Sequence, residues 1–578
     1  MNSMPTARPS TPVRTSRRRV RAAAIGRRVA ILRTVTASLL LSVCIGGNGA
    51  APMHEPAADP GETIYLHGQT APGRPVAATR SAESTIQGQA AACANCHQRS
   101  GLGGREGRIV IPPITTRYLF RPRASVVEDR DIPFVAGMHG DREPYTNATL
   151  ARAIKDGLDS EGKPLNFLMP RYDLGDADMA AVISHLKRLD RPDVPGVSGT
   201  TLHFATIITP DADPVKQRGM LAVMNQFFAD RNLRQMVPAP HMLTSGKTSY
   251  SGMMFKVQRR WELHVWALTG PESTWQSQLD RRLAAEPVFA VVSGLGGRTW
   301  APVHAFCERA AVPCLFPNVD APPPNADRDF YSVYFSRGVL LEAALLARRL
   351  AGEPGRPAAA RVSQVYRAGD SGEVAAAALA DALHASGIAV SRHVVPRGAP
   401  VGAVAEALRG TSGSDAVVLW LRPADVAALP ATPPAGAAVF VSGQMAALER
   451  TPLPMAWRGG AEMAYPFDLP DRRRVRVDFA MGWFRARNIP LVAEQTQVDT
   501  YLALGLLSET LKGLADTFVR DYLVEHFEET LAHRIMTGYY PRLGVAIGQR
   551  YASKGGYLVR FANAQGTAIV PDGEWIVP

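Results

Sequence analysis

Residues Cys93-Ala94-Asn95-Cys96-His97 constrain this chain more than any other stretch. Two cysteines separated by two residues, with a histidine directly after the second, form the attachment signature of a c-type haem. Each thiol can form a thioether to one porphyrin vinyl group, and the two-residue spacer lets both sulfurs reach the same edge. His97 then falls under the iron and can bind it through its imidazole. The competing readings are a zinc half-site or a redox disulfide beside a chance histidine. A zinc site needs a second pair of Cys or His ligands, yet Cys93 and Cys96 are the only cysteines between positions 45 and 306. A thioredoxin-type CxxC opens a helix after a hydrophobic strand, whereas this one follows Gln89-Ala90-Ala91-Ala92. The motif therefore predicts one covalent haem c.

At 578 residues the chain exceeds what one hydrophobic core serves, so several domains or lobes are expected. Its net charge of +12 invites a nucleic-acid reading, but the charge is concentrated at one end. Residues 1–50 hold nine arginines and no Asp, Glu or Lys, which leaves 12 − 9 = +3 for the remainder. No basic face remains to follow a phosphate backbone, and no nucleic-acid partner is expected. The arginines lead into an apolar stretch, Val35 to Ile45, and then a small-residue run ending in Ala50-Ala51-Pro52. This is the order of a secretory signal, with cleavage expected near Ala50 and a periplasmic mature chain. The stretch is short for a membrane span, so none is expected in the mature chain, although an uncleaved leader would act as a tether. Cys44 raises lipidation as an alternative, with Val43 large for the residue before a lipidated cysteine. Ser16-Arg17-Arg18-Arg19 resembles a twin-arginine signal, while haem attachment to an unfolded exported chain favours the general secretory route.

The last two cysteines, Cys307 and Cys314, also suit an oxidising compartment. On one continuous helix their Cα atoms would sit roughly 10 Å apart, too far to bridge. Pro313 should end the helix and let the chain turn back, so a disulfide and a pair of buried thiols both stand as readings.

Within residues 51–195, Asp59-Pro60-Gly61-Glu62 opens a helical piece with Ile64, Tyr65 and Leu66 for a core. A Gly/Pro/Ser-rich stretch to about Gly88 reads as a hairpin. After the CxxCH motif, Ser100-Gly101-Leu102-Gly103-Gly104 is a loop that lets backbone approach the porphyrin edge. In Ile111-Pro112-Pro113-Ile114 a backbone carbonyl can accept the second ring N–H of His97 and orient it. The sixth iron ligand is expected from Asn166-Phe167-Leu168-Met169-Pro170, a loop before a helix with Met179, Val182, Ile183, Leu186 and Leu189 on one stripe. Met169 is the preferred donor, and Met138, His139, Met179 and His185 compete with it.

Tyr65, CxxCH, the glycine-rich loop, the proline segment, Met169-Pro170 and the closing helix come in an order that resembles class I cytochromes c. The resemblance spans most of residues 51–195 and implies an all-α cytochrome c domain around a low-spin haem ligated by His97 and Met169. Its use would be electron transfer, because a six-coordinate iron leaves no open site for chemistry. One departure is the 27-residue gap between Tyr65 and Cys93, which puts the local fold of that stretch in doubt.

Asp190-Arg191-Pro192-Asp193-Val194-Pro195-Gly196 reads as a linker. Beyond it, in residues 196–578, strands and helices alternate. Thr201–Thr209, Glu262–Leu268, Val288–Ser293 and Val312–Phe316 read as strands of a first set, and Lys216–Asn232, Ser273–Ala284 and Pro302–Ala310 as its helices. A second set starts near Arg361, and two consecutive βαβ sets predict two lobes, each with a parallel sheet. Residues from Gly555 to Phe561 and Ala568-Ile569-Val570 read as a terminal hairpin. Trp266, Trp275 and Trp300 lie near strand ends, where core packing and a cleft lining are both open.

This order resembles the type I periplasmic binding proteins of the branched-chain amino-acid group. Thr209-Pro210, Gly219-Met220, Val291-Val292-Ser293-Gly294, Phe316-Pro317-Asn318 and Tyr331-Ser332-Val333-Tyr334 carry the resemblance. It implies an ABC-transporter substrate-binding-like module whose ligand sits between the lobes. Ser293, Arg298 and Thr299 occupy the place of the family's carboxylate-binding loop, with a tight strand-to-helix turn as the alternative. Asp320 and Asp370 lie in loops facing the implied cleft, where turn or helix-cap roles compete with ligand contact.

No phosphate-binding loop, nucleophile elbow or metalloprotease motif occurs, so no enzymatic activity is expected. The leading expectation is an exported mono-haem electron carrier fused to a solute-binding-type module that docks a redox partner, such as a periplasmic dehydrogenase or another cytochrome. The alternative is a periplasmic binding or sensor protein for an amino-acid-like small molecule, in which the haem reports redox state.

Overall fold

The computed structural model describes residues 59–70, 73–81, 84–120, 142–189, 193–236, 259–352, 357–448, 453–514, 517–535 and 537–578. These residues fall in one compact unit. The expected leader at 1–50, with Cys44, lies outside them. Among the described residues no helix is long and apolar enough to cross a membrane.

The first region begins with helix α1 (Pro60–His67). Asp59 caps it by accepting from the Gly61 N–H at 3.1 Å, Pro60 fits the first turn, and Gly68 ends it at φ +62°. Next come β1 (Ala77–Ser81) and β2 (Ser84–Gln87), then α2 (Ala94–His97), β3 (Gly104–Glu106), β4 (Ile109–Ile111) and α3 (Thr116–Leu119). Helix α4 (Asn147–Asp156) opens on a reciprocal Thr146/Thr149 cap, and β5 (Arg171–Asp173) and α5 (Asp176–Leu186) close the region.

An all-α domain is therefore not what forms. Strand β1 pairs antiparallel with both β2 and β5, giving a three-stranded sheet in order β2-β1-β5, and β3 pairs with β4. The physical reason lies in the long stretch after Tyr65. It has no apolar stripe at helical spacing, so its backbone groups are satisfied by pairing across strands instead.

Helices α1 and α5 cross so closely that a Cβ on Gly61 would lie 2.2 Å from the Ala181 carbonyl oxygen. Gly61→Ala should cost about 1–3 kcal/mol through overpacking against rigid backbone. Thermal unfolding of the variant checks this, and an unchanged midpoint would mean that the crossing is loose.

The first lobe contains β6 (Thr201–Ile208), α6 (Pro214–Met236), β7 (Arg260–Ala267), α7 (Trp275–Ala285), β8 (Ala290–Val292), α8 (Ala301–Arg309), β9 (Cys314–Leu315) and β10 (Ser332–Val333). Its five strands are all parallel, in order β10-β9-β8-β6-β7. Strand β6 reads as a near-continuous buried run, as a parallel strand covered on both faces should. Trp266, Trp275 and Trp300 are all in this lobe's core.

The second lobe contains α9 (Val339–Leu350), β11 (Arg361–Arg367), α10 (Ser371–Ala385), β12 (Ala389–Val395), α11 (Ala403–Arg409), β13 (Ala416–Trp420), β14 (Ala438–Ser442), β15 (Ala461–Tyr465) and α12 (Pro470–Ala486). Helices α13 (Glu494–Gly513) and α14 (Arg520–Ala532) follow, then β16 (Tyr557–Phe561) and β17 (Ile569–Pro571). The sheet order is β12-β11-β13-β14-β15-β16-β17; the first five strands are parallel, while the terminal hairpin joins antiparallel at β15. Helix α13 returns to the first lobe beside α6, where a Cβ on Gly219 would meet Gln497 at 3.0 Å. The result is a two-lobed α/β body with a parallel sheet at the heart of each lobe.

Cys307 and Cys314 form a disulfide with a Cα–Cα distance of 6.2 Å. Helix α8 ends at Arg309, Ala311 takes φ +48°, and the Val312 N–H donates to the Cys307 carbonyl at 3.0 Å. This tight return brings Cys314 back to Cys307. The closed loop contributes about 2.5 kcal/mol by the chain-entropy model.

Candidate functional site

The short helix α2 starts at Cys93, and the His97 N–H closes on the Cys93 carbonyl at 3.0 Å. One turn therefore carries both sulfurs and the imidazole. Gln98 then takes φ +63°, and its carbonyl accepts from the Tyr65 hydroxyl at 2.6 Å. The turn is thus tied to the α1 core.

The glycine-rich loop packs against the segment that follows it. Gly103 has φ +71°, and a Cβ there would lie 2.1 Å from the Ile111 carbonyl oxygen. The absent side chain lets the loop lie against the 111–112 backbone. Pro112 is thereby brought to His97, whose Nδ1 is 2.9 Å from the Pro112 carbonyl oxygen. A carbonyl can only accept, so Nδ1 carries the hydrogen and Nε2 keeps its lone pair. Burial pushes the His97 pKa down to about 4, which holds the ring neutral. Burial likewise pushes the Cys93 thiol up to about 11, against a smaller opposing effect from the Tyr172 hydroxyl.

Cys93, Cys96 and His97 line a cavity of about 280 Å³, and Met169 reaches the same cavity from its loop before β5. Aliphatic side chains, including Ile111, Leu119, Leu150, Leu165 and Val182, form much of the wall. Of the competing donors, Met179 is buried in the core and His185 faces Asp59, with Nδ1 3.4 Å from Oδ2; neither lines the cavity. Met138 and His139 lie outside the described residues. Cys93 and Cys96 are thiols rather than a disulfide. Among the described residues no cluster of three metal-ligating side chains includes either of them. A neutral imidazole with a free Nε2, two thiols one turn apart, a thioether and an apolar chamber together fit a covalently bound haem.

Between the lobes the carried-over loop is turned inward. Ser293, fully buried at φ +51°, donates to Thr500 Oγ1 at 2.8 Å and accepts from Asn318 Nδ2 at 3.1 Å. The Arg298 N–H donates to Asp211 Oδ2 at 2.8 Å, while its guanidinium pairs with Glu272. Thr299 Oγ1 accepts from the Ala301 N–H at 3.3 Å, at the start of α8. A Cβ on Gly297 would lie 2.4 Å from Asp211 Cγ. The place expected for a ligand carboxylate is filled by the chain's own Asp211.

Asp320 and Asp370 are instead brought together by Arg422. Its guanidinium lies 2.7 Å from Asp320 and 2.6 Å from Asp370, so it joins the first lobe to the second. Asp370 also caps α10 through the Ser371 N–H at 2.8 Å. Burial would raise the Asp320 pKa, but Lys216 and Arg422 outweigh it and hold the carboxyl well below its usual range. Nearby, burial pushes Glu342 and Asp499 up to about 8. The pocket left beside Lys216, Asn318, Asp320, Gln444, Asp499 and Tyr540 is about 50 Å³. This is room for a few waters rather than an amino acid. Arg422, Lys216 and Asp499 had no signal in the sequence, because their meeting depends on the loop after β13, on α6 and on α13.

The CxxCH turn also abuts the first lobe. Arg99 lies 5.0 Å over the Phe330 ring and 3.7 Å from Asp521, and the Tyr331 hydroxyl donates to Asp521 at 2.5 Å. The Ser100 N–H donates to Glu525 at 3.0 Å, and burial pushes the Glu525 pKa up to about 8. An unfolded glutamate releases its proton near pH 4.5, whereas this one holds it to about pH 8. The unfolded state binds fewer protons through that window, so Glu525 lowers stability as pH rises from about 4.5 to 8. Glu525→Gln should remove a decline on the order of 4 kcal/mol. Urea denaturation at pH 5 and pH 8 checks this, and equal pH slopes for parent and variant would refute it.

No protein-family model matches the chain, and no curated protein matches it. Among solved structures it is similar to the leucine-binding protein LivK of Thermotoga maritima, at 12% identity over 65% of this chain and 99% of that one, with a TM-score of 0.45. It is similar to a fatty acid ABC transporter substrate-binding protein from Thermomonospora curvata, at 15% identity over 67% of this chain and 95% of that one, with a TM-score of 0.47. It is also similar to the branched-chain amino acid transporter substrate-binding protein LivJ of Streptococcus pneumoniae in complex with isoleucine, at 11% identity over 66% of this chain and 100% of that one, with a TM-score of 0.46.

Proposed function

We propose that this chain is an exported electron carrier that holds one covalent haem c in its first region, with the two-lobed region as its docking platform. The observation that carries the reading is the convergence of Cys93, Cys96, His97 and Met169 on one apolar cavity, with the His97 tautomer set by Pro112. When bound, a His/Met-ligated haem supplies one-electron chemistry without an open coordination site. Cys93 and Cys96 would attach it, His97 and Met169 would ligate its iron, and the aliphatic wall would keep water away. The Arg99 and Ser100 contacts hold the CxxCH turn against α14 and the first lobe. A redox partner docked on the lobes would meet the haem at high effective concentration. A periplasmic dehydrogenase or another cytochrome is the partner class this chemistry suits.

A second reading, periplasmic small-molecule binding with the haem as redox reporter, rests on the place of Asp320, Asp370 and Arg422 between the lobes, and requires the pocket of about 50 Å³ beside them to open. The cluster lies in loops that follow strands of both lobes, where α/β sheets bind ligands. Optical spectra of the oxidised and reduced matured protein test both readings. Low-spin spectra with a near-infrared iron–methionine band, lost in Met169→Ala and untouched by amino acids, support electron transfer. A high-spin haem in the parent, or one whose spectrum shifts with an added amino acid, would overturn it in favour of sensing.

A further inference from the structure

His203 and His264 meet on the first lobe, at a place that neither the haem cavity nor the cleft uses. Strands β6 and β7 run parallel with His203 beside Glu262, and His264 follows two residues later on the same face of β7. Three metal-ligating side chains are thus stacked by register alone. His203 Nδ1 lies 3.0 Å from His264 Nε2 and 3.9 Å from Glu262 Oε2, and one donor atom from each residue falls within 4.8 Å of the others.

We propose that His203, Glu262 and His264 form a binding site for a zinc ion. Zinc bonds of 2.0–2.1 Å in tetrahedral geometry put ligand atoms about 3.4 Å apart, within the span of the separations seen here. Two imidazoles and one carboxylate suit zinc, and copper(II) by the same chemistry, rather than the all-oxygen shells of calcium or magnesium. A carboxylate outside the trio completes the arrangement. His264 Nδ1 faces Glu286 Oε2 at 3.6 Å, and that oxygen is held in place by the Trp266 indole N–H at 2.8 Å. If that 3.6 Å separation closes to a hydrogen bond when an ion binds, the Nδ1 hydrogen turns to Glu286 and leaves the Nε2 lone pair for the ion, as in a ligating histidine with a carboxylate partner. Glu262 and His203 are partly open to solvent, which gives an ion its path and leaves a fourth position to water. The trio lies toward the starts of β6 and β7, whereas Asp320 and Arg422 lie in loops after strand ends, so it is independent of the cleft.

The test is calorimetric titration of zinc into untagged, haem-loaded, chelator-treated protein, so that Cys93, Cys96 and His97 are already engaged. One zinc per chain is expected, with affinity falling at least 100-fold in His264→Ala and in His203→Gln. Glu286→Gln leaves all three ligands in place and should weaken binding about 10-fold. That variant keeps the test decisive if a ligand substitution fails to fold. The proposal is overturned if no zinc binds at tens of micromolar, or if stoichiometric binding survives in folded His264→Ala or His203→Gln.

Discussion

A Cys96→Ala chain, exported and matured beside the parent, is expected to retain far less haem through denaturation than the parent. Covalent attachment at Cys93 and Cys96 rests on two thiols presented by one helical turn, and removal of one leaves at most a single thioether. His97→Ala should have the larger consequence for folding. Its Nδ1 bond holds the 111–112 segment, and its ring fills one wall of the cavity. Haem-linked peroxidase staining of denatured protein reads the first effect, and thermal unfolding reads the second. A Cys96→Ala chain that stains like the parent would refute the attachment site.

Arg422→Met is expected to destabilise the two-lobed body by about 3 kcal/mol, since removing one partner of a buried ion pair leaves the others uncompensated. Asp320 is 8% exposed, and without the guanidinium only Lys216, at 3.8 Å, still opposes its charge. Asp370 loses the bidentate contact but keeps its helix-cap bonds. The pair also bridges the lobes, so small-angle scattering should show a wider cleft. The sign with pH follows from Asp320. Its lowered pKa gives stability that is present above the unfolded value of 3.8 and lost as pH falls through the native value. Arg422→Met should therefore lose less stability than the parent on acidification below that value. A variant with the parent's denaturation midpoint and scattering profile would show the bridge to be energetically idle.

Much of the proposed haem site is legible in the residues. CxxCH is local chemistry, with sulfurs and imidazole within one turn, and a proline-segment carbonyl near His97 follows from the need to orient a ligating ring. Met169 was distinguishable from Met179 because a loop before a helix can offer a donor, whereas the apolar stripe of α5 commits Met179 to the core. The alternation of strands and helices after residue 200 was equally readable, because parallel strands covered on both faces are continuous apolar runs. The β1–β2 hairpin was anticipated from the Gly/Pro-rich stretch before Gly88, but its pairing with β5 was not. Residues 67–90 carry little periodic signal, and β5 is three residues long, so pairing alone made these segments strands.

By itself, the sequence determined the chemistry that is local: the CxxCH turn, the capped helices, the apolar strands and a possible bridge at Cys307. Tertiary structure alone decided what depends on residues hundreds of positions apart. It placed Asp211 and Arg422 where a ligand had been expected, returned α13 and α14 to the first lobe, and set Glu525 against Ser100. It also paired β6 with β7 in the register that gathers His203, Glu262 and His264. The reason is physical. A turn or helix face is encoded by neighbours within a few residues, whereas register and lobe closure are set by the packing of whole elements, which no short window of sequence contains.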